Sequence, residues 1–413
     1  MNKLIKWLEE VFAPKLQKFT NLTWIVVIKD SMMQLLPFIL AGSIFCVGTV
    51  LNDRIAWLPS FWTPFGWTMS KIGLMAAFLI PFNYCEKKRY RKQRIIAGFT
   101  GLMLFMICID PQSAAEMGQG HALYGANGMF VAIFTGVITG LVFGAFAKFS
   151  FFKEDSVIPD FVRQWFDSLL PIMLLITAGW LIVLVAGVDI AGTVQKVFMP
   201  LQSILNTPAG FVISATLYCF IYSMGISTWV LTPVTEPVKL AVIAANLELV
   251  AAGTATVANM GIYTETLMYT CYMWIGGIGC TLSLVVLMMA VCKSKELKAL
   301  GRACIIPGIF NINEPVIFGA IAWNPILMLP MWIQGLVISA MTYIFTKVIP
   351  FAPIPRIQFD LWYCPYPIST FISTNGSIRG VIFTLVTFVV SALIWFPFLK
   401  AYDDQKCKAE LAK

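Results

Sequence analysis

Long apolar blocks alternate along this chain with short polar intervals. A helix needs about 20 mainly apolar residues to cross roughly 30 Å of hydrocarbon. Blocks of that kind fall at about 24–50, 65–83, 95–109, 128–149, 168–188, 208–226, 236–252, 267–292, 324–348 and 379–399. The block at 95–109 is short, and that at 236–252 carries Glu236, Lys239, Asn246 and Glu248. Such groups are costly in lipid, so the second of these must pack inside protein or line a cavity. Ahead of the first block, residues 1–22 place Leu4, Trp7, Leu8, Phe12 and Leu16 on one helical face with lysines elsewhere. That spacing predicts an amphipathic helix on the cytoplasmic membrane surface, and it is too polar for the core of a secretory signal.

Charge orients the blocks. The loop EKKRYRKQR (86–94) and the loop KSKELKALGR (293–302) are basic, as is the tail with Lys400, Lys406, Lys408 and Lys413. The loop at 110–127 holds no Lys or Arg. Cytoplasmic loops carry the excess of positive charge. Ten crossings that start inside satisfy all of these constraints and leave both termini cytoplasmic. The fold class expected is therefore an all-α polytopic membrane protein.

Composition agrees, with 59% hydrophobic and 12% charged residues in 413. Soluble domains carry about 25% charged residues. The net charge of +8 belongs to membrane topology, so no nucleic-acid partner is expected. The ten cysteines are scattered, with no CxxC, and read as small buried apolar residues. No metal and no cofactor are expected. His121, the single histidine, sits in the outer loop beside Gly118 and Gly120. No phosphate-binding loop, dinucleotide fingerprint or hydrolytic triad is present.

Two segments resist assignment as plain spans. Residues 303–320, ACIIPGIFNINEPVIFGA, are broken by Pro307, Gly308, Pro315 and Gly319. Residues 350–378 hold five prolines and several aromatic rings. Irregular backbone at membrane depth persists only where protein or a watery cavity satisfies it. Both are expected to be re-entrant hairpins, and broken segments of this kind build transporter sites.

Glu314 then stands out. It is either a carboxylate at a loop end, with Pro315 starting the next helix, or an acceptor facing a ligand hydroxyl, with Asn311 and Asn313 as amide partners. A carboxylate so placed can polarise a hydroxyl that must act as a nucleophile. The second hairpin offers Arg356, Gln358, Asp360, Trp362, Tyr363 and Tyr366, then Ser373, Thr374 and Asn375. Rings among polar groups suit a pyranose, or else form an interfacial belt. A third region, YSMGISTWVLTPVTEPVKL (222–240), supplies Gly225, Ser227, Thr228, Thr232 and Thr235. Hydroxyls there serve a site or bond between helices.

GIFNINEPVIFG (308–319) closely resembles the signature of enzyme IIC of the lactose/cellobiose (N,N'-diacetylchitobiose) family, the membrane component of bacterial sugar phosphotransferase systems. The resemblance extends to KDSMMQLLPFILAGSIF (29–45), DSVIPDFVRQWFDSLLP (155–171), WIGGIGCTLSLV (274–285), PYPISTFISTNGSIRG (365–380) and FPFLKAYD (396–403). It implies a homodimer in the bacterial cytoplasmic membrane, with ten spans and two re-entrant hairpins per protomer and an elevator-type transport movement. The implied division is a surface helix at 1–22, a scaffold and dimerisation half at 23–190, a sugar-binding half at 191–400 and a cytoplasmic tail at 401–413. The implied substrate is a β-linked disaccharide. Its 6-hydroxyl receives a phosphoryl group from a phosphocysteine on a separate IIB protein, with IIA upstream. No IIB domain is evident, since Cys407 lies in a tail too short to fold as one. By the same resemblance Glu314 binds the sugar near the reacting hydroxyl. The substrate-binding set is then Glu314, Asn311, Asn313, Ser227, Thr228, Trp362, Tyr363, Ser373 and Asn375.

Two motifs depart from the family pattern. A Gly-Ile-His-Gly motif is expected where this chain has Gly225, Ile226, Ser227 and Thr228. Serine neither acts as a base near neutral pH nor carries positive charge. The usual Gly-Ser-Gly is here Gly277, Ile278, Gly279. A permease that binds or facilitates a sugar without phosphorylating it is the alternative these losses raise. An ion-coupled carrier would instead need carboxylates such as Glu236, Glu248 and Glu265.

Overall fold

The computed structural model describes residues 21–52, 57–109, 123–152 and 159–411, with isolated positions at 7–18 and at Ile55. The outer loop with His121 and most of the amphipathic N-terminal segment lie outside the described residues. In hydrocarbon every backbone N–H and C=O must be paired within the chain, and apolar runs of this length meet that demand as helices. Among the described residues there are no strands.

The first half comprises α1 (Thr23–Asn52), α2 (Trp62–Thr68), α3 (Ile72–Lys87), α4 (Arg94–Ile109), α5 (Met129–Phe146) and α6 (Asp160–Gly179). Wide π turns carry α6 on through Trp180–Val185. α3 sits centrally against α1, α4 and α5. Small residues let these helices approach closely. A side chain at Gly101 would meet Ala77 O and the Pro81 ring, and one at Gly140 would meet Trp24 and Tyr84. Those two rings stack with centroids 4.4 Å apart. One polar link crosses this packing: Asn83 Nδ2 donates to Ser31 Oγ at 2.9 Å and to Gln34 Oε1 at 3.2 Å.

The second half is more broken. α7 (Ile190–Leu205) and α8 (Pro208–Ser223) meet at 83°. α9 (Thr232–Ala251), α10 (Thr281–Ala290), α11 (Lys295–Ile309), α12 (Pro325–Tyr343), the short α13 (Ile368–Ser373) and the long α14 (Ile378–Leu411) follow. α8 packs lengthwise on α12, where Gly335 lies against the backbone of Thr216. α10 lies between α11 and α14.

Six described helices are long and apolar enough to cross a membrane, and a bent α7–α8 pair would make a seventh. α4 and α10 are apolar but shorter. α9 is long but turns Glu236, Lys239 and Asn246 inward, each under 8% exposed. The segment expected as one span at 267–292 is instead divided. A π turn at Thr266–Cys271 leads into a loop, and α10 starts only at Thr281. The glycines in WIGGIGC account for this, because Gly276, Gly277, Gly279 and Cys280 all take positive φ, where a helix cannot continue. The two proline-broken segments also differ. Residues 303–320 form a helix–turn–helix hairpin from α11 into Glu314–Val316 and the π turn Ile317–Ile321. Residues 350–367 run irregularly and reach a helix only at α13.

The chain's end is tied to the first hairpin. α14 extends to Leu411, and Asp403 accepts the backbone N–H groups of Lys293 (2.8 and 3.0 Å) and Ser294 (2.9 Å). Glu410 accepts from Ser294 Oγ at 2.6 Å and from the N–H groups of Lys295 (3.1 Å) and Glu296 (3.0 Å). Of these, the N–H groups of Ser294, Lys295 and Glu296 are donors that the start of α11 leaves without helical partners.

Candidate functional site

Three interruptions in helical structure converge. α8 ends at Ser223, and the chain turns at Gly225, with φ of 68°, and passes through Ser227 into a short turn before α9. The glycine loop at 276–280 and the hairpin turn at 310–313 approach from α10 and α11. Trp362 and Tyr363 of the second broken segment close the remaining side. Between them lies a cavity of about 400 Å³.

Seven of the nine expected binding residues line it: Ser227, Thr228, Asn311, Asn313, Glu314, Trp362 and Tyr363. Glu314 opens the short helix after the hairpin turn. Pro315 follows in the first helical turn, where its missing N–H costs nothing. The carboxylate is exposed to the cavity, and among the described residues nothing pairs with it.

The two asparagines are engaged in holding the site together. Asn311, at φ 61°, accepts from Gly276 N at 2.9 Å and donates to Trp362 O at 2.7 Å and Cys364 O at 3.0 Å. One amide thus ties the hairpin turn to both other loops. Asn313 donates to Ile278 O at 2.9 Å, and its Oδ1 accepts from Tyr222 OH at 3.4 Å. Gly277 is required beneath it: a side chain there would collide with the Asn313 amide, and φ is 98°. Ile278 stands where the resemblance expects serine, and its carbonyl is what the site uses.

Aromatic rings make the walls. Trp362 lies 5.7 Å from Trp229 and 6.2 Å from Tyr269, and Tyr269 lies 6.4 Å from Trp274 between centroids. The indole N–H groups of Trp362 and Trp274 are buried donors without a partner among the described residues.

The cavity wall also carries a buried ion cluster. Lys239 lies 2.8 Å from Glu236 Oε2 and also bonds Glu265, while its ammonium sits 5.3 Å from the Tyr269 ring and 6.0 Å from that of Tyr218. The inward-facing charges of α9 thus line a cavity, as their cost in lipid required. Glu248 lies elsewhere, accepting from Asn127 Nδ2 at 2.7 Å.

Ser373 and Asn375 are not in the lining. Ser373 is buried and shares a 3.2 Å hydrogen bond with Thr270. Asn375 is exposed, at φ 52°, at the end of α13. Asp360 is buried and accepts from Thr266 Oγ1 and Gln358 Nε2, each at 2.8 Å, which locks the second segment onto the π turn. Arg356 lines a separate cavity with Arg379. Sequence reasoning did not assign Tyr218, Tyr222, Trp229, Tyr269 or Trp274 to the site. Tyr222 and Trp229 carried a signal, by belonging to the 222–240 stretch that holds Ser227 and Thr228, and Trp274 by opening WIGGIGC.

Comparison with known proteins gives a consistent result. The family described as Phosphotransferase system, EIIC, matches residues 29–335. A lactose-specific EIICB component of Staphylococcus epidermidis is 27% identical, over all of this chain and 72% of its own length. The lichenan permease IIC component of Bacillus subtilis is also 27% identical, covering 99% of this chain and 96% of the relative. The crystal structure of the transporter ChbC, the IIC component of an N,N'-diacetylchitobiose-specific phosphotransferase system, superposes with a TM-score of 0.87 at 26% identity. It covers 98% of this chain and 100% of ChbC.

Proposed function

Because the chain belongs to the phosphotransferase system EIIC family, we propose that it carries a β-linked disaccharide of the cellobiose, chitobiose or lactose type across the bacterial cytoplasmic membrane and presents it for phosphorylation. The working unit is a homodimer of ten-span protomers with both termini in the cytoplasm. Residues 191–400 move as an elevator against the scaffold at 23–190. A phosphocysteine on a separate IIB protein, recharged through IIA, supplies the phosphoryl group.

The observation that carries this reading is Glu314, a carboxylate without a partner among the described residues, beside the hairpin turn and an aromatic-walled cavity. Trp362, Trp229 and Tyr363 stack against the apolar faces of the sugar, and Ser227 and Thr228 engage its hydroxyls. Asn311 and Asn313 hold the turn and border the sugar. Glu314 accepts the hydrogen bond of the 6-hydroxyl and takes its proton as that oxygen attacks phosphorus and the cysteine S–P bond breaks. Phosphoryl transfer of this kind depends mostly on positioning, and a placed base adds about 10²–10⁴-fold. Inverted membrane vesicles given phospho-IIB and labelled cellobiose should yield the sugar 6-phosphate. Glu314→Gln should lower that rate at least about 100-fold. Undiminished phosphorylation in the variant would remove Glu314 from this role.

A second reading, binding or facilitated passage without phosphorylation, is favoured by Ser227, since no histidine lines the cavity among the described residues. Under it, native vesicles form no sugar phosphate, while Ser227→His restores measurable transfer. Robust transfer by the native protein would eliminate it.

A further inference from the structure

A second cavity, of about 500 Å³, lies apart from the sugar site, where the second broken segment begins and α14 starts. Arg356 and Arg379 both line it. Both are exposed, and neither has an ion-pair or hydrogen-bond partner among the described residues. The stretches that supply its walls, 249–264, 315–359 and 361–402, contain no Asp or Glu. A third cation, Lys347, adjoins the cavity by donating to the carbonyls of Val257 (2.6 Å) and Met260, two of the lining residues.

The depth of this cavity in the membrane follows from α14. Between Arg379 and Lys400 lie 20 uncharged residues, 380–399. They make about 30 Å of helix, the thickness of the hydrocarbon, so Arg379 stands at one head-group level and Lys400 at the other. Ile378, Ile382, Leu385, Val389 and Leu393 recur at helical spacing along α14, each at least 45% exposed. They form one apolar stripe that nothing in the protomer covers among the described residues. Ile378 heads the stripe and also lines the cavity, with Phe351 and Ile354. Orientation does not account for the two arginines. Basic residues mark the cytoplasmic side, and under the proposed topology α14 starts on the opposite one.

From this arrangement we infer that the cavity holds the phosphodiester head group of an anionic phospholipid, with an acyl chain laid along the stripe of α14. Guanidinium forks match phosphate oxygens in geometry as well as charge. A head group shared by Arg356 and Arg379 ties the start of the irregular segment to the helix. The inference needs the membrane location of the chain but not the sugar reading.

The test is native mass spectrometry of the purified full-length protein in detergent, titrated with dioleoylphosphatidylglycerol or dioleoylphosphatidylcholine. Phosphatidylglycerol should be retained in preference. Arg356→Gln and Arg379→Gln should each weaken its retention about fivefold, the weight of one interfacial cation. Lys87→Gln combined with Lys88→Gln, which removes charge from a basic loop instead, should leave the tightly held lipid in place. Equal retention of the two lipids, or an equal loss in the loop variant, would overturn the inference. Displacement of the lipid by inorganic phosphate would overturn it too, by reassigning the arginines to a free anion. Neither arginine has a partner to lose, so both single variants should unfold at the native temperature in phosphatidylcholine. A lower temperature there would show a structural role and likewise overturn the inference.

Discussion

The two proline-broken segments look alike in sequence but are built on different principles. In the first, Pro307 lies in the last turn of α11 and Pro315 in the first turn of the next helix. The helices therefore survive, and only the four-residue turn between them is irregular. In the second, the prolines at 350, 353, 355, 365 and 367 are too dense for any helix before α13. That segment is held from outside instead: Thr270 Oγ1 donates to Phe359 O at 2.7 Å, Thr266 to Asp360, and Asn311 to Trp362 O and Cys364 O. The first hairpin presents a charge; the second supplies rings and depends on its neighbours for its shape. Where prolines fall relative to helix ends matters more than how many there are.

Asn311 is where the two segments meet, and changing it should have the largest effect. Asn311→Ala removes three hydrogen bonds and places a Cβ-bearing residue at positive φ without a compensating side chain. A loss of about 3 kcal/mol or more is expected, read as a lower unfolding temperature in detergent together with weaker sugar binding. Asn311→Gly should recover about 1 kcal/mol of it, the left-handed share. Equal stability of the two variants would show that backbone strain plays no part. Thr266→Val comes next, at about 2 kcal/mol for the buried Asp360 carboxylate and Phe359 N–H left one partner short. Amide exchange should quicken over 353–366 and stay unchanged over 303–320. Faster exchange in both would mean that the segments are one unit and not two. Trp362→Phe is the mildest: it keeps an aromatic face, reduces the ring area against the cavity and should weaken sugar affinity about fivefold with no change in unfolding temperature.

Much of this was legible in the residues. The blocks at 24–50 and 324–348 matched α1 and α12 because a long, mainly apolar run has few alternatives in lipid. The charges on α9 announced a cavity by their cost. The span drawn through 267–292 failed because average hydropathy hides WIGGIGC, whose glycines release the chain from helix. Asn311 and Asn313 were visible as polar residues, but their use as braces depends on carbonyls of Trp362, Cys364 and Ile278 that are distant in sequence. The same holds for Tyr218, Tyr222, Tyr269 and Trp274. An aromatic residue on an apolar helix looks the same whether it faces lipid, core or ligand, and only the packing decides.

The clasp between α14 and α11 gives the far end of the polypeptide mechanical authority over the site. From Lys295 to Ile309, α11 is 15 residues, a rod of about 22 Å at the usual rise. Its lower end is gripped by Asp403 and Glu410, and its upper end runs into the turn that bears Glu314. A displacement of the last helical turns therefore arrives at the carboxylate as a push along a stiff shaft. A fluorophore on Cys407, one turn from Asp403, would serve as a gauge of that stroke, its signal changing when the cavity beside Glu314 is filled.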